Sequence, residues 1–428
     1  MSADAAASPL ARVLRLWLSP ATWITIADVF AVLTALALPW STSLVAIFVL
    51  CWLGSAALML DYGVYLQSLK RPICFLPFAL VGLALLGTLW SDAPWGERLH
   101  AVSPTIKLLV LPGLFYHFER SARGMWVFIA FLASCTLLML MSWIVAIDPG
   151  LSLKPAEEAE RGIFVKNYID QSQEFALCAV ALAYPIISLL RANEIRLAKW
   201  LGAISLGFVL NMTFVAVSRT AIVTIPILLA VFALLHLRRR TSLIILGVTI
   251  VLAGVLWFTM TDLRWGPKRF VRDYRLHKTQ NDPTSIGIRL EFWQKSLRFF
   301  SEAPVIGNGT GATRGLFERA ATGAVGSATD QVIGNPHNQT LNVAVQWGMI
   351  GVVLLYAMWL VHLLLFRGEG LVAWIGLLVV VQNIFTSLFN SHLFDFHEGW
   401  MYVLGVGVAG GMTLAAKRRR ASTGSGGP

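Results

Sequence analysis

Long apolar stretches separated by short polar connections run through most of the chain. Most stretches are about 18–25 residues long, the length that carries an α-helix across the hydrocarbon core of a bilayer. A backbone in lipid must satisfy its own hydrogen bonds, so stretches of this length are helices rather than barrel strands. The pattern therefore predicts an all-α polytopic membrane protein with about twelve transmembrane helices. The twelve stretches lie at about 22–40, 43–60, 73–90, 104–118, 125–147, 171–190, 200–217, 220–237, 242–260, 341–366, 371–389 and 399–415.

Two of these stretches are less regular than the others. The stretch at 104–118 is short and gives the weakest helix prediction. The apolar region 200–237 is too long for one ordinary span, and it divides into two at a tight turn near Ser218 and Arg219. Composition agrees with a membrane protein, because 57% of the residues are hydrophobic and only 13% are charged. Soluble domains have about 45–50% apolar and about 25% charged residues.

Basic residues predict the orientation of the helices. With both termini in the cytoplasm, every cytoplasmic connection holds at least one Lys or Arg, and together these connections contain half of the 34 in the chain. This is the positive-inside pattern of short loops. Treating 200–237 as one span would break the alternation on one side of it, so the charges favour twelve spans.

One polar stretch, 261–340, is much longer than the other connections. It divides the chain into a first bundle of about nine helices (1–260), a large outer loop with short helices, three further helices (341–416) and a basic tail (417–428). The loop has 11 Lys and Arg and 7 Asp and Glu, a net charge of +4. A basic surface outside the membrane suits an anionic ligand or lipid headgroups. A solvated charged surface is the alternative.

The tetrapeptide Asn335-Pro336-His337-Asn338 stands near the end of this loop, just before an apolar stretch. Proline fixes the local backbone, and the two asparagines can orient a side chain or cap the following helix. A neutral imidazole is a suitable general base near neutral pH. His337 is therefore the leading catalytic candidate, with a structural histidine in an Asn-rich turn as the alternative.

Two arginines are candidates for binding an anion. Arg219 stands at a predicted turn between two apolar helices, where a guanidinium is costly unless it is paired or hydrated. Its planar fork suits phosphate oxygens, although contact with lipid headgroups would also explain it. Arg289 lies on a predicted amphipathic helix over 284–300, with Trp293 one turn later. The Gly-x-Gly-x-Gly run at 307–311 is either a phosphate-binding loop or a flexible turn.

Two shorter outer loops add further polar candidates. The loop 148–170 contains Arg161 and Lys166, and the loop 391–398 contains Asp395. We find no outer-facing Asp-x-Asp or paired-carboxylate motif, so no metal site is predicted. The four cysteines lie in or beside apolar stretches without metal-type spacing, which indicates ordinary packing and no disulfide framework.

The ordered motifs resemble those of the O-antigen ligase and polymerase superfamily. The resemblance covers roughly residues 160–400 and is strongest over 284–350. The motifs that carry it are Ser218-Arg219, Arg289-Leu290-Glu291-Phe292-Trp293, Pro304 to Gly309, Pro336-His337-Asn338, Gln339-Thr340-Leu341 and Gln346-Trp347-Gly348. The short chain with a basic tail looks more like a ligase than like the longer protein-directed oligosaccharyltransferases.

The resemblance implies a glycosyltransferase of GT-C-like architecture in the bacterial (Gram-negative) inner membrane. Such an enzyme moves a glycan from undecaprenyl diphosphate to the lipid A-core on the periplasmic face, inverts the anomeric configuration and uses no metal or other cofactor. The implied partners are the lipid-linked donor, the lipid A-core acceptor and membrane lipids, with no nucleic acid.

The resemblance also implies roles for individual residues. His337 would be the base, and Arg219 and Arg289 would stabilise the diphosphate. Asn338, Asn335 and Asp395 would orient the ring or bind substrate, and Lys166, Arg161 and Trp293 would add substrate contacts. An O-antigen polymerase or a protein O-oligosaccharyltransferase of the same superfamily would use the same donor chemistry. A multispan transporter is the alternative from another class, although no inverted repeat or interrupted helix pair supports it.

Overall fold

The structure is a computed structural model in which every regular element of the described residues is helical. It describes residues 19–159, 161–215, 219–236 and 261–424, with three single positions, 240, 243 and 247, in between. The helices of the first part are α1 (Pro20–Ala37), α2 (Thr42–Met59), α3 (Tyr62–Ser68), α4 (Pro72–Leu86), α5 (Trp95–Ile106), α6 (Val110–Phe118), α7 (Gly124–Ile147), α8 (Ala156–Ala159), α9 (Tyr168–Ala181), α10 (Ala183–Arg191), α11 (Ile195–Phe214) and α12 (Arg219–His236). Short 3-10 turns occupy Lys107–Leu109 and Pro149–Leu151.

The second part of the chain supplies the polar helices and the last apolar ones. They are α13 (Thr261–Gln280), α14 (Ser285–Glu302), α15 (Ala312–Arg319), a 3-10 turn (Ala328–Asp330), α16 (Gln339–Leu365), α17 (Leu371–Thr386) and α18 (Phe396–Gly424). The polar stretch 261–340 thus contains short helices, and the predicted helix over 284–300 is found as α14.

The apolar stretches of the sequence coincide with helices. Eight helical segments of the described residues are long and apolar enough to cross a membrane, and a ninth is found if α3 and α4, which meet at 82°, are one span. The Val223–Leu235 part of α12 and the whole of α17 are shorter apolar helices. The predicted span at 242–260 falls almost entirely outside the described residues. The fold class is confirmed, whereas the count of twelve spans and the cytoplasmic termini stay predictions.

The first two helices show how the sequence sets helix starts and close packing. Ser19 accepts a hydrogen bond from the backbone N–H of Thr22 at 3.2 Å, and Pro20 occupies the first turn, where its missing N–H costs nothing. Ala27, Ala31 and Ala35 form a buried stripe of small residues on α1. Small side chains let helix backbones approach closely, so α1 packs tightly against α2 and α7.

The glycine-rich loop between α14 and α15 is a packing element and not a phosphate cradle. Gly307, Gly309 and Gly311 all have positive φ, and a Cβ on any of them would stand 2.5–2.8 Å from neighbouring backbone. The loop N–H groups are already used, because Asn308 donates to the Val345 carbonyl, Gly309 to the Gln346 carbonyl, Thr310 to the Gly87 carbonyl and Gly311 to Gln346 Oε1. The phosphate-binding alternative for this run is therefore wrong.

We predict that Gly309→Ala destabilises the protein by roughly 3 kcal/mol or more. The alanine would combine left-handed backbone strain of about 1–2 kcal/mol with a clash against the Ser91 backbone. Gly326→Ala is the matched control, because Gly326 also has positive φ but nothing lies within 4 Å of the place that an alanine methyl would take there. Thermal unfolding in detergent should show a much larger loss for Gly309→Ala, and equal losses would refute the packing role.

Candidate active site

His337 is held in an uncommon backbone conformation at the start of α16. Its φ is +53°, in the left-handed region that few residues other than glycine adopt. Asn335 Oδ1 accepts a hydrogen bond from the His337 backbone N–H at 3.0 Å, which closes a turn over Pro336. Asn338 caps α16 by accepting from the Leu341 N–H at 3.0 Å. The two asparagines thus fix the backbone on both sides of the histidine.

The His337 ring is oriented by Asn390, and Asn390 is oriented by Asp395. His337 Nδ1 lies 2.9 Å from Asn390 Oδ1, and Asn390 Nδ2 donates to Asp395 Oδ2 at 2.7 Å. A carboxylate only accepts hydrogen bonds, so it selects the amide nitrogen of Asn390 and turns the amide oxygen toward the ring. That oxygen in turn requires a proton on Nδ1. The lone pair of the neutral ring is therefore on Nε2, which has no hydrogen-bond partner among the described residues.

An aromatic cluster covers one face of the His337 ring. Phe292 of α14 stacks on it with ring centroids 6.2 Å apart and planes 29° apart. Phe317 of α15 packs edge-on against Phe292 at 5.7 Å. Phe292 is buried, whereas the His337 residue is half-buried. The ring therefore has one covered face and an accessible edge, which suits a base that must meet a substrate.

The connection between α17 and α18 is fastened to the first turn of α16. Ser391 Oγ donates to Asn335 Oδ1 at 2.7 Å, and the Gln339 N–H donates to the Ser387 carbonyl at 2.9 Å. Gln339 Oε1 accepts from the Leu393 N–H at 3.1 Å. These bonds bring residues about fifty positions apart into one unit, so Asn390 stays in place beside the histidine.

Lys107 is a buried lysine that supports the same connection between α17 and α18. Lys107 Nζ donates to the Phe394 carbonyl at 3.1 Å and also to the Asp395 carbonyl. Lys107 is only 8% exposed, and a buried ammonium is costly unless it is paired. The nearby Asp395 and Glu398 carboxylates supply the opposite charge.

His392, Asp395 and Glu398 form a compact charged group beside the Asn390 amide. His392 Nδ1 lies 3.2 Å from Asp395 Oδ2 and 3.6 Å from Glu398 Oε1. Burial alone would lower the pKa of His392, but the two carboxylates outweigh it and raise the pKa to about 9. The three side chains are close enough to hold a divalent metal ion. A protonated His392 and the Lys107 ammonium together balance the two carboxylates without one. Asp395 and Glu398 do not form an Asp-x-Asp motif in the sequence, and the two carboxylates meet only in the fold.

Lys166 and Arg161 lie apart from the His337 group. Lys166 is 7% exposed and donates to Glu174 Oε1 at 3.1 Å and to the Leu38 carbonyl, with His397 Nδ1 at 2.7 Å. Enclosed in this way, Lys166 supports the interior of the bundle and presents no free ammonium to a substrate. Arg161 is exposed, and no described contact joins it to His337.

The two predicted anion-binding arginines and Trp293 have different environments. Arg289 is exposed on α14, three residues before Phe292, so it lies on the side of the helix that faces His337. Trp293 is half-buried and packs in the α14–α15 cluster. Arg219 is the first residue of α12, but its side chain lies outside the described side chains.

Sequence reasoning missed two residues that organise the site. Asn390 was visible only as one polar residue at the edge of an outer loop. Lys107 could have been found, because it is a charge inside a predicted span, and such charges are rare without a function.

Of the predicted residues, the structure brings His337, Asn335 and Asp395 together, with Arg289 on the adjoining helix and Asn338 as the helix cap.

These features define a multi-pass helical membrane protein with a histidine-centred polar site at the ends of its helices. Residues 203–356 match the profile of a family described as O-antigen ligase. The match includes Arg219, Arg289 and His337, whereas Asn390 and Asp395 follow it. This match supports membership of the O-antigen ligase superfamily, whose members are ligases or polymerases acting on lipid-linked glycans, and it confirms the resemblance drawn from the sequence. No curated protein matches the chain.

We predict that the protein loses stability as pH rises through about 9. The folded pKa of His392 is above the ordinary value of about 6.5, so its stabilising charge is fully present below pH 6.5 and is lost as the ring deprotonates near pH 9. The loss is on the order of 3 kcal/mol. Unfolding midpoints in detergent between pH 6.5 and 9.5 should fall for the native protein and fall less for His392→Gln. Parallel pH profiles for the two proteins would contradict this assignment.

Proposed function

We propose that the protein is a glycosyltransferase that moves O-antigen polysaccharide from undecaprenyl diphosphate to the lipid A-core. The match to the O-antigen ligase family supports lipid-linked glycan substrates. The observation that carries the proposal is the His337 ring, with Nδ1 held by Asn390 and Nε2 open. We place the reaction on the periplasmic face of a Gram-negative inner membrane, because the charge pattern puts the 261–340 segment outside the cytoplasm.

The reaction needs a base more than it needs an acid. The donor already carries a good leaving group, the lipid diphosphate. His337 Nε2 accepts the proton of the acceptor hydroxyl while its oxygen attacks the anomeric carbon. The new C–O bond forms on the face opposite the breaking bond to the diphosphate oxygen, so the configuration inverts. The electron pair leaves with the undecaprenyl diphosphate, and the proton stays on the imidazolium until solvent removes it.

Fixed cations take the place of a metal ion at the diphosphate. Arg289 is exposed beside Phe292 and can reach a donor bound next to the histidine. Arg219 begins α12, and the N-terminus of a helix favours an anion. A guanidinium offers two parallel hydrogen bonds to phosphate oxygens. Trp293 and Arg161 remain candidates for outer substrate contacts, whereas the enclosed Lys166 acts from inside the bundle.

The lipid tails of both substrates suit lateral entry from the membrane. An apolar cavity of about 320 Å³ opens between the helices of the bundle. Its walls come from α1, α7, α9, α10, α11, α17 and α18 and include Leu38, Phe128, Leu177, Ile375 and Leu404. A cavity lined by apolar side chains can hold part of a hydrocarbon chain, and none of its lining residues belongs to the His337 group.

His337→Ala should abolish transfer, because general-base catalysis contributes about 10²–10⁴-fold and no described neighbour replaces the imidazole. Purified protein in detergent, given defined lipid-linked donor and lipid A-core, should form a glycan ladder on the core that the variant does not form. Donor binding should persist in the variant. His100→Ala, at an exposed histidine of α5, is the control and should remain active.

Near-normal ligation by His337→Ala would rule out the base assignment. The same assay separates the ligase from its nearest rivals. A ladder that grows on the lipid-linked repeat in place of the core would indicate an O-antigen polymerase, and glycan on added protein would indicate a protein O-oligosaccharyltransferase.

Arg289→Ala should weaken use of the diphosphate donor by about tenfold or more, since a hydrogen bond to a charged group is worth about 1.5–3 kcal/mol. Arg298→Ala is the matched control, because Arg298 is exposed on the opposite side of α14 and pairs with Glu302 at 2.9 Å.

Arg219→Lys should also be impaired, since a point charge does not replace a planar fork. Steady-state kinetics against donor concentration test both changes, and a fully active Arg219→Lys would make Arg219 a headgroup anchor.

A further inference from the structure

The positive charge of the 261–340 segment is concentrated on one helix. α13 carries six Lys and Arg and two Asp, a net charge of +4. The remainder, 281–340, has five basic and five acidic residues and is neutral. The proposed transfer reaction takes its cations from α12 and α14 and gives α13 no role.

The exposed surface of α13 has a basic side and an apolar side that adjoin each other at Val271. Lys268, Arg272 and Arg275 follow a helical spacing of four and three residues and border a shallow groove. Val271 lines the same groove, and Phe270, Val271 and Tyr274 on the adjoining side are 51%, 47% and 43% exposed. This is the arrangement of a helix that lies in a membrane interface with its apolar side toward the acyl chains.

The remaining side of α13 connects it to the candidate active site. Thr284 Oγ1 donates to the Asp273 carbonyl at 3.2 Å, and Gly287 of α14 lies so close to His277 that a Cβ there would stand 2.6 Å from the His277 Cβ. The helix that α13 contacts in this way is the one that carries Arg289 and Phe292. Anything that fixes α13 therefore also fixes the partner of the His337 ring.

We propose that α13 binds anionic phospholipid headgroups of the membrane in which the protein is embedded, and thereby holds α14 against His337. Charge complementarity favours phosphate-bearing headgroups for the basic side. The exposed aromatic and aliphatic side favours a lipid surface over a soluble anion or a sugar. Each Lys or Arg near an anionic membrane surface contributes about fivefold in affinity, so three contribute on the order of 100-fold. The binding claim stands alone, and only its effect on rate rests on the proposed function.

The test places a fluorescent reporter on the apolar side of α13 in the full-length protein. Val271→Cys, in a background with the half-buried Cys51 replaced by Ala, is labelled with an environment-sensitive dye and reconstituted into nanodiscs. Discs of phosphatidylcholine with added phosphatidylglycerol should give a blue-shifted emission that reverts at high salt. Discs of phosphatidylcholine alone should not, and inorganic phosphate added to them should not restore the shift.

Matched charge variants make the result specific to α13. The triple variant Lys268→Gln/Arg272→Gln/Arg275→Gln should lose the shift at every phosphatidylglycerol fraction. Arg298→Gln/Arg314→Gln, which removes exposed basic residues of α14 and α15, should keep it. Equal emission of the native chain in both lipid compositions, or a shift that survives the triple variant, would overturn the proposal. A shift produced by inorganic phosphate alone would also overturn it, in favour of a soluble anion site.

The activity measurement distinguishes this proposal from the proposed function. Transfer should be severalfold faster in discs with phosphatidylglycerol, and the triple variant should lose that difference. If no transfer occurs in any disc while the fluorescence shift is present, the proposed function fails and the headgroup site stands. If transfer occurs at the same rate in all lipids and no fluorescence shift is seen, the headgroup site fails and the proposed function stands.

Discussion

The hydrogen bond from Asn390 to Asp395 is the constraint on which the candidate site depends. An isolated asparagine amide presents its oxygen and nitrogen with nearly equal ease, and either would satisfy a neutral imidazole. The carboxylate removes this freedom because it accepts only the N–H₂ end. The orientation of one amide thus decides which nitrogen of His337 carries the proton. Because Nε2 is the nitrogen at the open edge, this orientation also decides whether the ring can act as a base there.

The charged groups around this bond explain how the irregular connection between α17 and α18 keeps a fixed position. Residues 387–395 contain little regular structure, yet they must place Asn390 within hydrogen-bond distance of a residue 53 positions away. Lys107, His392 and Glu398 surround Asp395 in a mostly enclosed setting, where breaking one member would leave an uncompensated charge at a cost of about 3–5 kcal/mol. A low dielectric strengthens such contacts when all are satisfied. The group therefore fixes the position of the connection. The interior cluster around Lys166 likewise fixes the start of α9.

The sequence predicted the features that depend on the local pattern of residues. Apolar length alone predicted helices, and the Asn-Pro-His-Asn tetrapeptide drew attention to His337 because its neighbours restrict the backbone. The helical spacing of 284–300 placed Arg289 on α14. What it could not provide were contacts between distant segments. Asn390 meets His337 only after α16 and α17 have folded back on each other, and Lys166 looked accessible because its pairing with Glu174 and His397 is tertiary. The glycine run was ambiguous for the same reason, since its close neighbours come from 87–97 and 346.

The helix α13, for which we propose headgroup binding, packs against α14, and Phe292 of α14 stacks on His337. The function that we propose for this unit depends on the fixed tautomer of His337. Nitrogen-15 magnetic resonance of histidine-labelled protein in lipid tests that claim most directly, with His337→Gln used to assign the signal. We predict a protonated Nδ1 and an unprotonated Nε2 for the neutral ring. We also predict that Asn390→Leu lets both tautomers appear. A native ring protonated on Nε2 would contradict the claim, because the open edge would then carry a donor and could not take a proton from an acceptor hydroxyl.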